Sequence, residues 1–87
     1  MYLHLGQGLV VPEAAVIGLF DLDNTTGSRF TRDFLSSTEK AGRVVSLSDD
    51  LPRTFVVCGE GNDVNVYLSQ LSTQTLVKRA ETKRYDL

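Results

Sequence analysis

The sequence predicts an α+β fold: a small antiparallel-rich sheet with one central helix and a second helix at the C-terminus. Three observations carry this. Apolar, β-branched runs at 54–58 and 64–69 flank the Gly-containing segment 59–63, the pattern of a hairpin. Phe30, Phe34, Thr38 and Ala41 recur at helical spacing between a capping Ser28 and a terminating Gly42. The whole chain has 87 residues, enough for one domain spanning 1–87.

The elements follow in order. Leu3 and Leu5 alternate with Tyr2, His4 and Gly6, giving a first short strand, and Gly6-Gln7-Gly8 reads as a turn. Leu9-Val10-Val11 resumes extended structure, and Pro12 confines it to an edge or an end. Residues 14–22 are nearly continuously apolar, and Val16, Ile17, Leu19 and Phe20 favour a strand buried on both faces. A polar loop at 23–27 leads into the central helix, expected over 28–41 with Leu35 beside its apolar stripe. Arg29 with Asp33, and Glu39 with Arg43, stand four apart as weak surface pairs. A strand at 44–47, the loop Asp49-Asp50-Leu51-Pro52 and the hairpin come next. Ser72 then caps a helix that carries Leu76 and Ala80 on one side, with 80–87 as a frayed tail. The expected core is Val16, Phe20, Phe30, Phe34, Val45, Val57 and Leu68.

Composition narrows the class of function. The net charge is −2, so the chain lacks the domain-wide basic character of a free-standing nucleic-acid binder. The charge is unevenly placed: Lys78, Arg79, Lys83 and Arg84 crowd the last twelve residues. Arg79 and Lys83 share a helical face with Lys78 adjacent, which suits a helix C-terminus and also a phosphate- or partner-binding face. Cys58 is the single cysteine, so no intrachain disulfide forms, and its apolar neighbours predict a buried thiol. No signal-peptide pattern opens the chain and no apolar run reaches the ~18 residues of a membrane span, so a cytoplasmic protein without membrane association is expected.

Catalytic readings find little support. Phe20-Asp21-Leu22-Asp23-Asn24-Thr25 resembles the first motif of the haloacid dehalogenase phosphatases, and alternation puts Asp21 and Asp23 on one side of a strand. That chemistry also needs a lysine, further metal-binding carboxylates and a doubly wound parallel sheet, which takes far more chain than this. A strand end turning into a helix through an Asx turn explains the same residues. His4, the only histidine, is read as a surface or interface side chain, and Asp49 and Asp50 as turn-capping or solvated carboxylates. No catalytic set, cofactor, metal or small-molecule substrate is expected.

Three segments, taken together, carry a family resemblance. They are Met1-Tyr2-Leu3-His4-Leu5-Gly6, the loop and strand from Ser48 to Val57, and Val66-Tyr67-Leu68-Ser69 running on to Ser72-Thr73-Gln74-Thr75-Leu76. The chain resembles the bacterial extracellular matrix regulators RemA and RemB, its RemB branch above all, over roughly residues 1–79. The resemblance implies a DNA-associated transcriptional regulator of biofilm matrix genes. For the RemA branch it implies a closed ring of subunits and a fold likened to LytTR-type DNA-binding domains. Double-stranded DNA would be held by phosphate contacts repeated around a homo-oligomer, here through Arg53, Arg43, Lys78, Arg79 and Lys83. The chain departs from the RemA branch in one loop: Asp49-Asp50-Leu51-Pro52 stands where RemA-like members carry an arginine pair, and Arg53 alone remains basic there. A second reading is therefore an assembly or adaptor protein of the same fold that works through protein contacts, and a remote third is the phosphatase.

Overall fold

In a computed structural model the described residues are 1–25 and 27–81, without the side chains of residues 24 and 25. Their order is β1 (Tyr2–Gly6), β2 (Leu9–Pro12), a 3-10 turn at Glu13–Ala15, β3 (Val16–Asp21), α1 (Leu22–Thr25), α2 (Arg29–Lys40), β4 (Val44–Ser46), β5 (Thr54–Glu60), β6 (Asp63–Ser69) and α3 (Thr73–Glu81). The fold is α+β, as its sequence predicts. No helix among the described residues is long and apolar enough to cross a membrane.

A four-stranded sheet in the order β3-β5-β6-β4 is the frame. The hairpin β5–β6 is its centre and runs in register from Thr54↔Ser69 to Glu60↔Asp63, so only Gly61 and Asn62 turn the chain. β3 pairs antiparallel to β5 at one edge, and β4 pairs parallel to β6 at the other. β1 and β2 form a separate two-stranded hairpin.

Side chains alternate across this frame and make two unequal layers. On one side Val56 and Cys58 meet Leu3, Leu5 and Val11 of the β1–β2 hairpin and Leu76 of α3. On the other, Phe55, Val57 and Val66 meet α2 through Leu35, with Leu22 and Val44 beside them. A buried polar knot ties the first layer together. Ser69 Oγ donates to the Leu5 carbonyl (2.7 Å) and accepts from the Leu71 N–H (3.1 Å). Thr54 Oγ1 donates to the Leu71 carbonyl (2.8 Å) and lies 2.9 Å from Thr73 Oγ1. Both hydroxyls are fully buried, and each is satisfied, as burial of a polar group requires.

The helix signals resolve in detail. Ser72 caps α3: its Oγ accepts the Thr75 N–H at 3.1 Å. Ser28 occupies the corresponding position of α2 without a side-chain capping bond. At the other end of α2, Gly42 takes φ +74°, a left-handed conformation that suits glycine. Its N–H bonds the Glu39 carbonyl (2.9 Å) while the Arg43 N–H bonds that of Thr38 (3.0 Å), the paired closure of a Schellman motif. Asp21 Oδ1 accepts the Asp23 N–H at 2.7 Å, so the Phe-Asp-Leu-Asp segment is an Asx turn opening α1. The sheet is not the doubly wound parallel one that the phosphatase motif belongs to.

Several expectations need correction. β3 is an edge strand with one face open, not a strand buried on both faces: Ile17 is 65% exposed and Phe20 39%. The stripe on α2 is buried only at Thr38, with Phe30 85% exposed and Phe34 39%, and Val45 on the short edge strand β4 is also exposed. Of the expected core only Val57 is buried, with Val16 and Leu68 half-buried; Leu3, Leu5, Val11, Phe55, Val56, Cys58, Val66 and Leu76 close it. Arg43 pairs with Asp63 at 3.1 Å and not with Glu39, because the turn at Gly42 takes the chain off the helix axis; Arg29–Asp33 forms as expected at 3.7 Å. Of the tail expected at 80–87, Ala80 and Glu81 complete the last turn of α3 and the remainder lies outside the described residues.

Candidate functional site

Arg53 stands where the β4–β5 connection enters the sheet. Its N–H donates to the Ser69 carbonyl (2.8 Å), and its carbonyl accepts from the Leu22 N–H (3.0 Å). The residue after it, Thr54, belongs to the buried polar knot. The backbone is therefore held on both sides while the side chain is exposed. The preceding loop folds on itself: Ser46 Oγ donates to the Ser48 carbonyl, and Ser48 Oγ accepts the Asp50 N–H, each at 3.1 Å. With Gln7 it lines an open polar concavity. Asp49, Asp50 and Leu51 are all exposed, and Asp21 pairs in register with Thr54, so carboxylates outnumber the one guanidinium at this corner and it does not by itself concentrate positive potential.

The other expected cations lie elsewhere. Arg43 is at the opposite end of β6, where its carbonyl accepts the Val66 N–H (2.8 Å) and its guanidinium is engaged by Asp63. Arg79 and Lys78 lie on α3, in the layer across the sheet, and Arg79 Nη1 donates to the His4 carbonyl at 3.2 Å. Lys83 lies outside the described residues. Arg43, at the Asp63 end of β6, is thus set apart from Arg53 at the Ser69 end.

The one thiol and the one imidazole are not brought together either. Cys58 is buried among Leu3 and Leu5, whereas His4, between them in sequence, faces outward. Burial first, and the Glu60 carboxylate second, push the Cys58 thiol up, which suppresses the thiolate. Burial likewise raises the Tyr67 hydroxyl, with smaller contributions from Cys58 and Glu60. Among the described residues no three His, Cys, Asp or Glu side chains are placed to hold a metal ion.

The feature that sequence reasoning assigned to the core is a groove between β3 and α2. Ile17, Phe20, Phe30 and Phe34 line it, with Phe55 and Val57 at its floor. The Phe20 ring stacks on Phe55, centroids 5.0 Å apart and planes 18° from parallel. Gly18 makes this possible: a Cβ there would stand 2.6 Å from the Phe20 ring. The i, i+4 phenylalanines of α2 were the available signal, but a stripe marks an apolar face without saying what covers it.

No protein-family model matches the chain. Over 81 residues, 93% of this chain and 91% of the other, it is 35% identical to the protein of Bacillus subtilis (strain 168) named extracellular matrix regulatory protein B. At that identity over nearly the full length of both chains, this protein belongs to the family of extracellular matrix regulatory protein B.

Proposed function

We propose that this chain is a cytoplasmic, DNA-associated regulator of extracellular matrix genes that acts as a homo-oligomer larger than a dimer. The single observation that carries the regulatory reading is the 35% identity, over 93% of the chain, with a protein named as an extracellular matrix regulator. The mechanism follows from charge. A subunit of net charge −2 has little hold on duplex DNA. Repetition changes this, because each added subunit presents the same Arg53 at the same rigidly held corner. Linked weak contacts gain affinity through effective concentration without a new type of contact. Arg53 is the principal phosphate contact in this reading, with Arg43, Lys78, Arg79 and Lys83 as auxiliary cations. Phosphate contacts position a protein on DNA without reading sequence. No cofactor or small-molecule substrate enters, and the protein acts as a regulator and not as a catalyst.

One observation favours a second reading. Asp49 and Asp50 are exposed immediately before Arg53, and exposed carboxylates repel phosphate. In that reading the protein is an adaptor of the same fold, and the acidic loop docks a protein. A mobility-shift assay with duplex DNA, titrated with salt, separates the two. The DNA reading predicts binding that falls steeply with salt, weakens in Arg53→Ala for every sequence and strengthens when Asp49 and Asp50 are both replaced by Arg. An oligomer that ignores DNA even after the double replacement contradicts it and favours the adaptor.

A further inference from the structure

We infer that the apolar groove between β3 and α2 is the surface on which a second copy of this chain docks, the two grooves meeting face to face. The inference rests on the oligomeric part of the proposed function and names the surface that makes it.

The groove has the right size. Phe20, Phe30 and Phe34 are 39%, 85% and 39% exposed, which at about 200 Å² per aromatic side chain leaves roughly 300 Å² of ring surface open, before Ile17 is added. A standard interface covers about 800 Å² on each partner. A little over half of that is apolar, or about 450 Å². The groove supplies most of that share from one contiguous patch, the size of the largest apolar patch on an ordinary monomer, which is often functional.

It also has the right chemistry for a copy of itself. None of the described residues that line it is ionisable, and the exposed Arg29–Asp33 pair beside Phe30 and Phe34 carries no net charge, so two subunits, each of net charge −2, can bring these grooves together without setting net like charge against itself. A two-fold contact requires such a self-complementary patch. The shape agrees. Phe20 lies flat across Gly18 and on Phe55, with one ring face packed and the other open. Phe30 protrudes from the first turn of α2 above this floor. A partner's Phe30 set against Phe20 and Ile17 would cover the open ring face and complete a layer that the chain leaves half-built. The pair made in this way is the unit from which a larger assembly would be built through a second surface.

Sedimentation velocity across a wide concentration range tests this on the whole chain. Phe30→Ser and Ile17→Thr alter exposed side chains on two different elements, so loss of folding in one leaves the other as the test; circular dichroism reports folding in both. Val77→Ser, on the outer face of α3, is the control. The wild type should self-associate. Each groove variant should weaken association about tenfold or more, the effect of truncating a residue at the centre of an interface, and the control should not. A wild type that associates equally well with both groove variants overturns this surface and leaves the oligomeric reading intact. A wild type that stays monomeric throughout, with the groove serving some other partner, overturns both.

Discussion

The two faces of the central sheet are built from the same kinds of residue and finished differently. On the β1–β2 and α3 side, Leu5, Val56 and Leu76 are fully buried, and the hydroxyls of Ser69 and Thr54 are bonded within the layer. On the α2 side, Phe55, Val57 and Val66 are buried, yet three of the four phenylalanines, Phe20, Phe30 and Phe34, remain open. Among the described residues the first face is covered and the second is not. An 87-residue chain has little core to spare, so leaving aromatic surface exposed on one side while sealing the other separates two tasks. The sealed face holds the subunit together, and the open face is available for association.

That contrast predicts a large difference between two truncations. Leu76→Ala removes a fully buried side chain from the sealed face and should cost about 3 kcal/mol or more in a denaturant titration. Phe30→Ala, at a protein concentration where subunits are apart, should change stability by less than about 0.5 kcal/mol, as other exposed positions do. Equal costs would break the comparison, since they would mean that Phe30 supports the fold of a single subunit.

A second prediction concerns the polar knot. Ser69→Ala deprives the Leu5 carbonyl of its donor and the Leu71 N–H of its acceptor in a buried setting, and should cost about 1–3 kcal/mol by the same titration. A neutral result would show that water replaces the hydroxyl and that the face is less sealed than its burial implies.

The same contrast explains what could be read from the sequence. The β5–β6 hairpin, the stop of α2 at Gly42 and the cap of α3 at Ser72 are written in local chemistry: alternation, a left-handed glycine and a serine ahead of an apolar repeat. Membership in the extracellular matrix regulator family was legible in the N-terminal segment, the Asp-Asp-Leu-Pro loop region and the β6–α3 junction. The position of β3 at the sheet edge was not, because Val16, Ile17, Leu19 and Phe20 have the same pattern whether one or both faces are covered. Nor was the fate of Phe30 and Phe34, since spacing marks an apolar face but not its neighbour. The pairing of Arg43 with Asp63 depends on where β4 meets β6, a long-range fact that no local spacing encodes.

The smallest expected effect sharpens the sealed side. Burial raises the Cys58 thiol in the folded chain, so the stability it contributes is intact below the usual thiol range and is lost as pH rises through the raised value. Denaturant midpoints should therefore fall modestly on going from neutral to alkaline pH. An alkylating reagent should leave native Cys58 unmodified at neutral pH and label it on unfolding. Rapid labelling of the native protein would show that this face opens.

Assembly through the open face and the proposed DNA contact are linked, and one measurement bears on that link most directly. It is the affinity of the wild type and of Phe30→Ser for the same duplex at the same salt, followed by fluorescence anisotropy. The substitution changes no charge and lies on α2, whereas Arg53 lies in the β4–β5 connection. If assembly through the open face is what lets an acidic subunit hold DNA, Phe30→Ser should bind at least about tenfold more weakly while remaining folded. Undiminished binding by a variant shown to be monomeric would contradict the account.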